Sequence, residues 1–175
     1  DNKGGSTIFW LQNQNKKTVL FCQFIDSTGS KRWGKNPIAI SKSNASVINY
    51  SIGKLGKGIY AAITYQGSTK IIYQQLISDK GKLLWGADGK LLTYQKGSQT
   101  NPQFAFVDSS VVVSWTNEFD KLKELFIQRF NISGNRLWGN NGKRIINITG
   151  NQFGQRIVYD QKNGIIISWI DKREN

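Results

Sequence analysis

Several residue types that carry chemistry are missing or rare in this chain of 175 residues, which has no histidine, no methionine, one cysteine and two prolines. Without histidine it lacks the side chain most often used for general acid and base catalysis near neutral pH. One cysteine cannot form an intramolecular disulfide, and it is too few for the Cys and His sets that bind structural zinc. We therefore expect no metal site and no cofactor.

Long apolar runs are missing as well. No stretch approaches the ~18 consecutive apolar residues of a membrane-spanning helix, and residues 1–5 lack the apolar core of a signal peptide. We therefore expect no membrane insertion. Because methionine is absent, we also expect a processed product or a part of a longer polypeptide.

Acidic residues are in the minority, with 11 Asp and Glu against 24 Lys and Arg, so the formal charge is +13. Such a charge is compatible with nucleic acid, anionic glycan or acidic membrane partners. Nucleic-acid-binding proteins usually gather their cations in one stripe with aromatic residues between them, whereas here the cations are spread along the whole length. Nucleic acid is therefore not the partner that we expect.

The few carboxylates and the one cysteine do not predict catalysis. A glycosidase needs two carboxylates about 5 to 10 Å apart, and no such pair recurs in the sequence. Glu118 and Asp120 are expected in a solvent-exposed loop, and Cys22 stands in an apolar stretch, where a lone cysteine is usually a small buried hydrophobe. We therefore expect that the chain is not an enzyme.

What the sequence does have is an internal repeat of about 50 residues, the kind of period that indicates a repeat architecture. In three copies, a glutamine is followed by a glycine six residues later and by Trp-Gly from the tenth residue on. The positions are Gln23, Gly29 and Trp33 in the first copy, Gln75, Gly81 and Trp85 in the second, and Gln128, Gly134 and Trp138 in the third.

A second landmark recurs at a matching interval: an apolar run that ends in an aromatic residue. The aromatic residues are Trp10, Tyr65, Trp115 and Trp169. All six tryptophans therefore occupy one of two repeat positions. An aromatic residue that recurs once in each repeat is typical of a packing side chain, so we predict that these residues fill the core and do not bind a ligand.

Each repeat predicts four short strands and no helix. In the third copy the predicted strands are 103–107, 111–115, 125–130 and 136–138, the last with a continuation at 143–146. Between the third and fourth strands, each copy has Asp, Ser or Asn followed three residues later by Gly, the preference of a type I turn closed by a glycine with positive φ. We therefore predict a tight hairpin between these two strands.

Antiparallel units of four strands that repeat every 50 or so residues are typical of a β-propeller. Solenoid coils are shorter, roughly 20 to 30 residues, and separate domains would need more residues each. The apolar runs 111–113 and 165–167 predict interior strands, and basic stretches such as Lys31-Arg32 and Lys143-Arg144 predict outer ones.

Counting these strands predicts 13, in groups of three, four, four and two. The fold that we predict is all-β, an incomplete propeller of about three and a half blades. A partial blade covers residues 1–41, complete blades cover 42–93 and 94–147, and a second partial blade covers 148–175.

The repeat also carries a resemblance to known proteins. A tryptophan, a short polar loop, an apolar strand with a glutamine, then Asp or Asn, Gly and Trp-Gly together resemble the blade repeats of large secreted bacterial β-propeller proteins. Such repeats are common in the Bacteroidota, often in proteins associated with the type 9 secretion system. The resemblance covers nearly the whole chain. It implies an extracytoplasmic location, either secreted, periplasmic or at the cell surface, and a partner such as an outer-membrane or secretion-machinery component.

Three functions are compatible with these observations. The first and favoured one is a non-catalytic scaffold that binds another protein or the remaining blades of the same polypeptide. The second is a glycan-binding adhesin whose polar loops, residues 95–102 and 149–154, hold the ligand. The third is a part of an enzyme whose active residues lie in further blades.

Overall fold

The computed structural model describes residues 4–41 and 44–173. Within these residues every helix or strand is a β-strand and no helix occurs, which confirms the predicted all-β class. The described strands are β1 Ser6–Gln14, β2 Lys17–Ile25, β3 Ile38–Ala39, β4 Ser46–Leu55, β5 Gly58–Gln66, β6 Ile71–Ile77, β7 Lys90–Leu91, β8 Ser98–Val107, β9 Ser110–Phe119, β10 Leu122–Asn131, β11 Lys143–Arg144, β12 Asn151–Tyr159 and β13 Ile165–Lys172.

The described strands form four antiparallel sheets in which each strand pairs with its neighbours in sequence. The sheets are β1-β2-β3, β4-β5-β6-β7, β8-β9-β10-β11 and β12-β13. The predicted grouping of three, four, four and two strands is therefore confirmed. The boundaries of the four repeat segments stay a prediction.

The chain divides into two compact units, one formed by Asp1–Gln66 with Tyr73–Lys90 and the other by Gly67–Ile72 with Leu91–Asn175. In the first unit, buried side chains are concentrated on β2 and β5, the middle strands of their sheets. In the second unit, β9 is buried along most of its length. A middle strand is flanked by a strand on each side, so its side chains lose more contact with water than those of an edge strand.

Consecutive sheets are joined by the same hydrogen bond, repeated three times. A polar side chain at the start of one sheet accepts the backbone N–H of a residue 28 positions earlier, in a strand of the preceding sheet or directly before one. These pairs are Ser46 with Thr18 at 3.3 Å, Ser98 with Lys70 at 3.2 Å, and Asn151 with Lys123 at 3.0 Å. The same hydrogen bond therefore recurs at equivalent positions of the repeat.

The predicted interior run 165–167 is wrong at Ile166, which is 60% exposed. Its equivalent in β9, Val112, is 2% exposed, and the run 111–113 is buried as predicted. The difference arises because the side chains of Val112 and its neighbours pack against the sheet that follows, whereas β13 belongs to the last described sheet.

Several strands run past the aromatic residue at which they were predicted to end. β1 continues to Gln14, β9 to Phe119 and β13 to Lys172. In consequence Glu118 lies in β9, and Asp120 begins a two-residue turn in which φ is 51° at Asp120 and 67° at Lys121. Two consecutive residues with positive φ are typical of the type I′ turn of a tight hairpin, so a two-residue turn replaces the longer loop that was predicted here. Glu118 and Asp120 are both exposed to solvent, as predicted.

The predicted fourth strand at 136–138 is also wrong. Arg136 forms one isolated bridge to Phe130, and the fourth strand of this sheet is the two-residue β11, which pairs with Phe126 and Ile127. The Gln128 side chain accepts the backbone N–H of Trp138, so this group does not pair with a neighbouring strand. β11 is exposed, as the basic composition of this stretch predicted.

Candidate interaction surface

The repeated glutamine holds the loop that carries Trp-Gly. In the second copy, Gln75 Oε1 accepts the N–H groups of Trp85 and Leu76, both at 3.0 Å, and Nε2 donates to the carbonyl of Gly86 at 2.7 Å. The equivalent bonds join Gln23 to Trp33, Phe24 and Gly34, and Gln128 to Trp138, Arg129 and Gly139. One buried side chain thus satisfies backbone groups that the ladders leave unpaired.

The turn before the Trp-Gly loop has one geometry in all three copies. Its first residue accepts two backbone N–H groups through a side-chain oxygen, and its glycine has positive φ, as predicted. The first residues are Asp26, Ser78 and Asn131, and the glycines are Gly29, Gly81 and Gly134. Hydrogen bonds from the Thr28 hydroxyl and the Ser30 backbone lower the pKa of Asp26 below its ordinary value.

In the first copy, the tryptophan that follows this turn packs on the equivalent turn of the second copy. The Trp33 indole Nε1 donates to the carbonyl of Asp79 at 3.0 Å. A Cβ placed on Gly81 would lie 2.7 Å from Trp33 Cγ and 2.6 Å from Ile38 Cδ1. Gly81 is therefore needed both for its positive φ and for the close approach of Trp33. Trp85 is buried, whereas Trp33 and Trp138 are half-buried.

The aromatic residue at the second repeat position is covered by another aromatic residue on the following strand. Ring centroids are 5.9 Å apart for Trp10 and Phe21, 5.9 Å for Tyr65 and Tyr73, and 5.7 Å for Trp115 and Phe126. The covering residue stands two positions before the repeated glutamine in every copy. The signal for it was present in the sequence as an aromatic-x-Gln pattern, which the sequence reasoning missed.

Trp169 departs from this arrangement. It is equivalent to Trp115 but is 36% exposed, whereas Trp115 is 0% exposed. Its strand, β13, pairs with β12 alone among the described residues, so the strand that would carry the covering aromatic is not found there.

An apolar patch lies on one face of β12-β13. It consists of Val158, Ile166 and Ile170, all more than half exposed, and Val158 and Ile166 are cross-strand partners. The opposite face is covered, because Ile157, Ile165 and Ile167 pack against the buried side chains of β8, β9 and β10. We call the three exposed residues the outer patch.

The repeat relates the outer patch to a buried surface. Val158 and Ile166 are equivalent to Ala105 and Val112, which are also cross-strand partners. Ala105 and Val112 are buried in the cluster that the β12-β13 sheet covers. The outer patch therefore has the composition of a surface on which, one repeat earlier, another sheet packs.

The first of the two loops predicted to hold a polar ligand is hydrogen-bonded to Gln155, the residue that directly follows the second loop. Gln155 Nε2 donates to the carbonyl of Asn101 at 2.7 Å, and Gln155 Oε1 accepts from Asn101 Nδ2 at 3.3 Å and from the Thr116 hydroxyl at 3.1 Å. Gln99 Oε1 accepts the backbone N–H of Ile72. These side chains stabilise the packing of strands, and they are largely buried.

A shallow cleft of about 270 Å³ lies in the first unit, at the end of the β1-β2 hairpin. It is lined by Gln14, Asn15, Lys17, Val19, Ala39 and Ser41. Its most buried polar group, the Ser41 hydroxyl, already accepts the backbone N–H of Leu20 at 3.0 Å.

The remaining chemically notable side chains are isolated. Cys22 is completely buried, as predicted, and burial raises the pKa of its thiol to about 12. Within residues 4–41 and 44–173, no three His, Cys, Asp or Glu side chains are grouped as a metal site would require. No helix in the same residues is long and apolar enough to cross a membrane.

Comparison with known proteins adds no family assignment. No family model matches the chain, and no curated protein matches its sequence.

Proposed function

We propose that this chain is a non-catalytic interaction scaffold made of β-propeller blades, in a secreted, periplasmic or cell-surface bacterial protein. Support for propeller blades comes from the constant repeat length and from the hydrogen bond that joins each sheet to the next at an interval of 28 residues. The partner is another protein or further blades of the same polypeptide.

The outer patch is the observation that carries this proposal. Ile166 is 60% exposed, yet the equivalent Val112 is buried by a packed sheet. Contiguous apolar patches on a protein surface mark interaction sites when they are larger than a few scattered residues. A partner that presents an apolar sheet face fits this surface, since the same residue types already pack against a sheet one repeat earlier.

The resemblance to secreted bacterial propeller proteins favours a partner outside the cytoplasm, such as a component of the outer membrane or of the secretion machinery. The basic surface does not oppose this proposal, because Lys and Arg on short exposed edge strands such as β11 hinder unwanted strand pairing.

The proposal is tested on the purified chain of 175 residues by sedimentation and by binding of a hydrophobic dye. We expect dye binding or association that the substitution Ile166→Lys reduces strongly. The matched control is Leu84→Lys, which changes an exposed leucine far from the outer patch in sequence and in the other compact unit.

Two outcomes would contradict the proposal. A monodisperse monomer that binds no dye and unfolds cooperatively would show that the outer patch needs no cover. Saturable binding on a glycan array that is unaffected by Ile166→Lys would favour the adhesin instead.

A further inference from the structure

We propose that β9 binds one buried water molecule, which accepts the indole N–H of Trp115 and donates to the side-chain oxygen of Asn117. Both residues belong to an inner strand of the sheet β8-β9-β10-β11. The site is separate from the outer patch, and it does not depend on the proposed scaffold function.

Two buried polar atoms of β9 have no hydrogen-bond partner within residues 4–41 and 44–173. They are Trp115 Nε1, on a residue that is 0% exposed, and Asn117 Oδ1, on a residue that is 1% exposed. Residues two apart in a strand point to the same face, so the two atoms share one face of β9. One is a hydrogen-bond donor and the other an acceptor. Buried polar groups almost always have a partner, either in the protein or in an ordered water molecule.

A neighbouring loop fixes the orientation of the Asn117 amide. Its Nδ2 donates to the carbonyl of Lys96 at 2.9 Å, so a reversed amide would place two oxygens in contact. The loop is held close to β9, because a Cβ on Gly97 would lie 2.6 Å from the Glu118 carbonyl oxygen and 2.9 Å from Asn117 Nδ2. The unpaired atom is therefore the oxygen, which needs a donor.

The first copy of the repeat has a direct hydrogen bond at the equivalent positions. Trp10 is equivalent to Trp115, and Gln12 to Asn117. Trp10 Nε1 donates to Gln12 Oε1 at 3.4 Å. A tryptophan can thus reach the side chain two residues later on the same face of a strand. In the third copy that side chain is asparagine, which is shorter by one methylene group.

The two indoles are placed alike against the phenylalanine that covers each of them. The ring centroids of Trp10 and Phe21 are 5.9 Å apart, with 22° between the ring planes. Those of Trp115 and Phe126 are 5.7 Å apart, with 23° between the planes. The difference at the indole N–H therefore comes from the length of the side chain two residues later.

One water molecule matches both the separation and the chemistry. The missing methylene lengthens the distance from the indole nitrogen to the side-chain oxygen by about 1.5 Å, the length of one C–C bond. The two atoms are then about 5 Å apart, which is the span of two hydrogen bonds of about 2.8 to 3.0 Å that meet at one oxygen. Water both accepts and donates, whereas a cation could not accept from Trp115 and an anion could not donate to Asn117. A polar site with two such partners is sufficient for a buried water molecule.

Nuclear magnetic resonance of the full chain with isotope-labelled tryptophan tests the site. The Trp115 indole proton is assigned by its loss in Trp115→Phe. We expect a cross-peak between this proton and the water resonance, with the sign that proximity produces and proton exchange does not. Asn117→Gln should abolish the cross-peak, because the longer amide reaches the indole as Gln12 does, while the indole proton stays protected from exchange.

The matched control is Asn49→Gln, which changes an exposed asparagine in the other compact unit and should leave the cross-peak unchanged. Circular dichroism checks that each variant is folded. A crystal structure of the parent chain needs no variant and should show an ordered water within about 3.2 Å of both atoms. Absence of the cross-peak and of this water from the parent protein would overturn the proposal. A cross-peak that persists in Asn117→Gln, or a direct bond from Trp115 Nε1 to a protein oxygen, would overturn it as well.

Discussion

Gln75 shows how one side chain can fix a loop that has no ladder of its own. Its amide accepts two backbone N–H groups and donates to one carbonyl, so it supplies hydrogen bonds that a longer fourth strand would otherwise supply. The spacing of ten residues between glutamine and tryptophan is the length of chain needed to reach the tight turn, pass through it and return to the glutamine.

Replacing Gln75 with methionine should therefore destabilise the protein by about 2 to 4 kcal/mol. Methionine has a similar shape but leaves the Trp85 N–H and the Gly86 carbonyl unpaired, and each unsatisfied buried group costs about 1 to 3 kcal/mol. Urea titration measures the free energy of unfolding. The control Gln12→Met changes an exposed glutamine and should stay within about 0.5 kcal/mol of the parent. Equal effects at both positions would contradict the role assigned to Gln75.

The Cys22 thiol should be inert in the native protein. Burial raises its pKa to about 12, above the ordinary 9.0, because the thiolate is poorly solvated inside the sheet. At pH 8 we expect very slow reaction with a disulfide reagent, and fast stoichiometric reaction after unfolding. Immediate reaction of the native protein would show that Cys22 is accessible.

The same pKa shift has a defined effect on stability. The native pKa lies above that of the unfolded chain, so the unfolded chain loses its thiol proton first as the pH rises. The contribution of Cys22 to stability is therefore fully present below pH 9.0 and declines as the pH rises from there to about 12. A Cys22→Ala variant should accordingly show less loss of stability than the parent over this range.

The tight turn before each Trp-Gly loop has the same backbone geometry in every copy, but different side chains lie beside it. Gly29 and Gly81 have nearly the same φ, 83° and 78°. A Cβ on Gly29 would meet nothing within 4 Å, whereas a Cβ on Gly81 would collide with Trp33. An alanine at Gly29 would therefore introduce backbone strain alone, whereas an alanine at Gly81 would also collide with a neighbouring side chain.

Gly29→Ala should cost about 1 to 2 kcal/mol, the price of a left-handed conformation for an L-residue. Gly81→Ala should cost about 1 to 3 kcal/mol more, because the added methyl also displaces the Trp33 indole. Denaturant unfolding of both variants, with the Trp33 environment followed by fluorescence, measures the difference. If the two alanines cost the same, Trp33 does not pack on the second turn.

The short strands at the end of each repeat limit pairing at the sheet edges that they form. β3, β7 and β11 contain two residues each, so the sheet edges they form offer few backbone groups for pairing.

The net charge of +13 is not confined to one compact unit, because Lys and Arg residues occur throughout both. Few cations within residues 4–41 and 44–173 are paired with a carboxylate; the closest of these ion pairs joins Arg144 to Glu124 at 2.6 Å. We expect that binding to duplex DNA or heparin is weak and is lost by about 0.15 M salt, where screening acts within about 8 Å. Titrations at increasing salt measure this, and tight saturable binding that survives 0.15 M salt would indicate a specific polyanion site.

Most of the strands, the repeat and the turns could be predicted from the sequence alone. Each of these depends on residues close together in the chain: short apolar runs that end in an aromatic residue predict strands, and a glycine with positive φ closes the turn after Asp26, Ser78 or Asn131. It also located the tryptophans and glutamines at equivalent positions, because a repeat is visible without knowing what its residues contact.

The tertiary structure decided what those residues do. Whether Trp115 is covered and Trp169 is not, where the fourth strand begins, and why Ile166 is exposed while Val112 is buried all depend on partners in neighbouring strands or sheets. The local sequence pattern is the same around Trp115 and Trp169, and around Val112 and Ile166. Burial and hydrogen bonding are set by which atoms lie opposite after the sheets have paired and stacked, and that information is not contained in any single stretch of the chain.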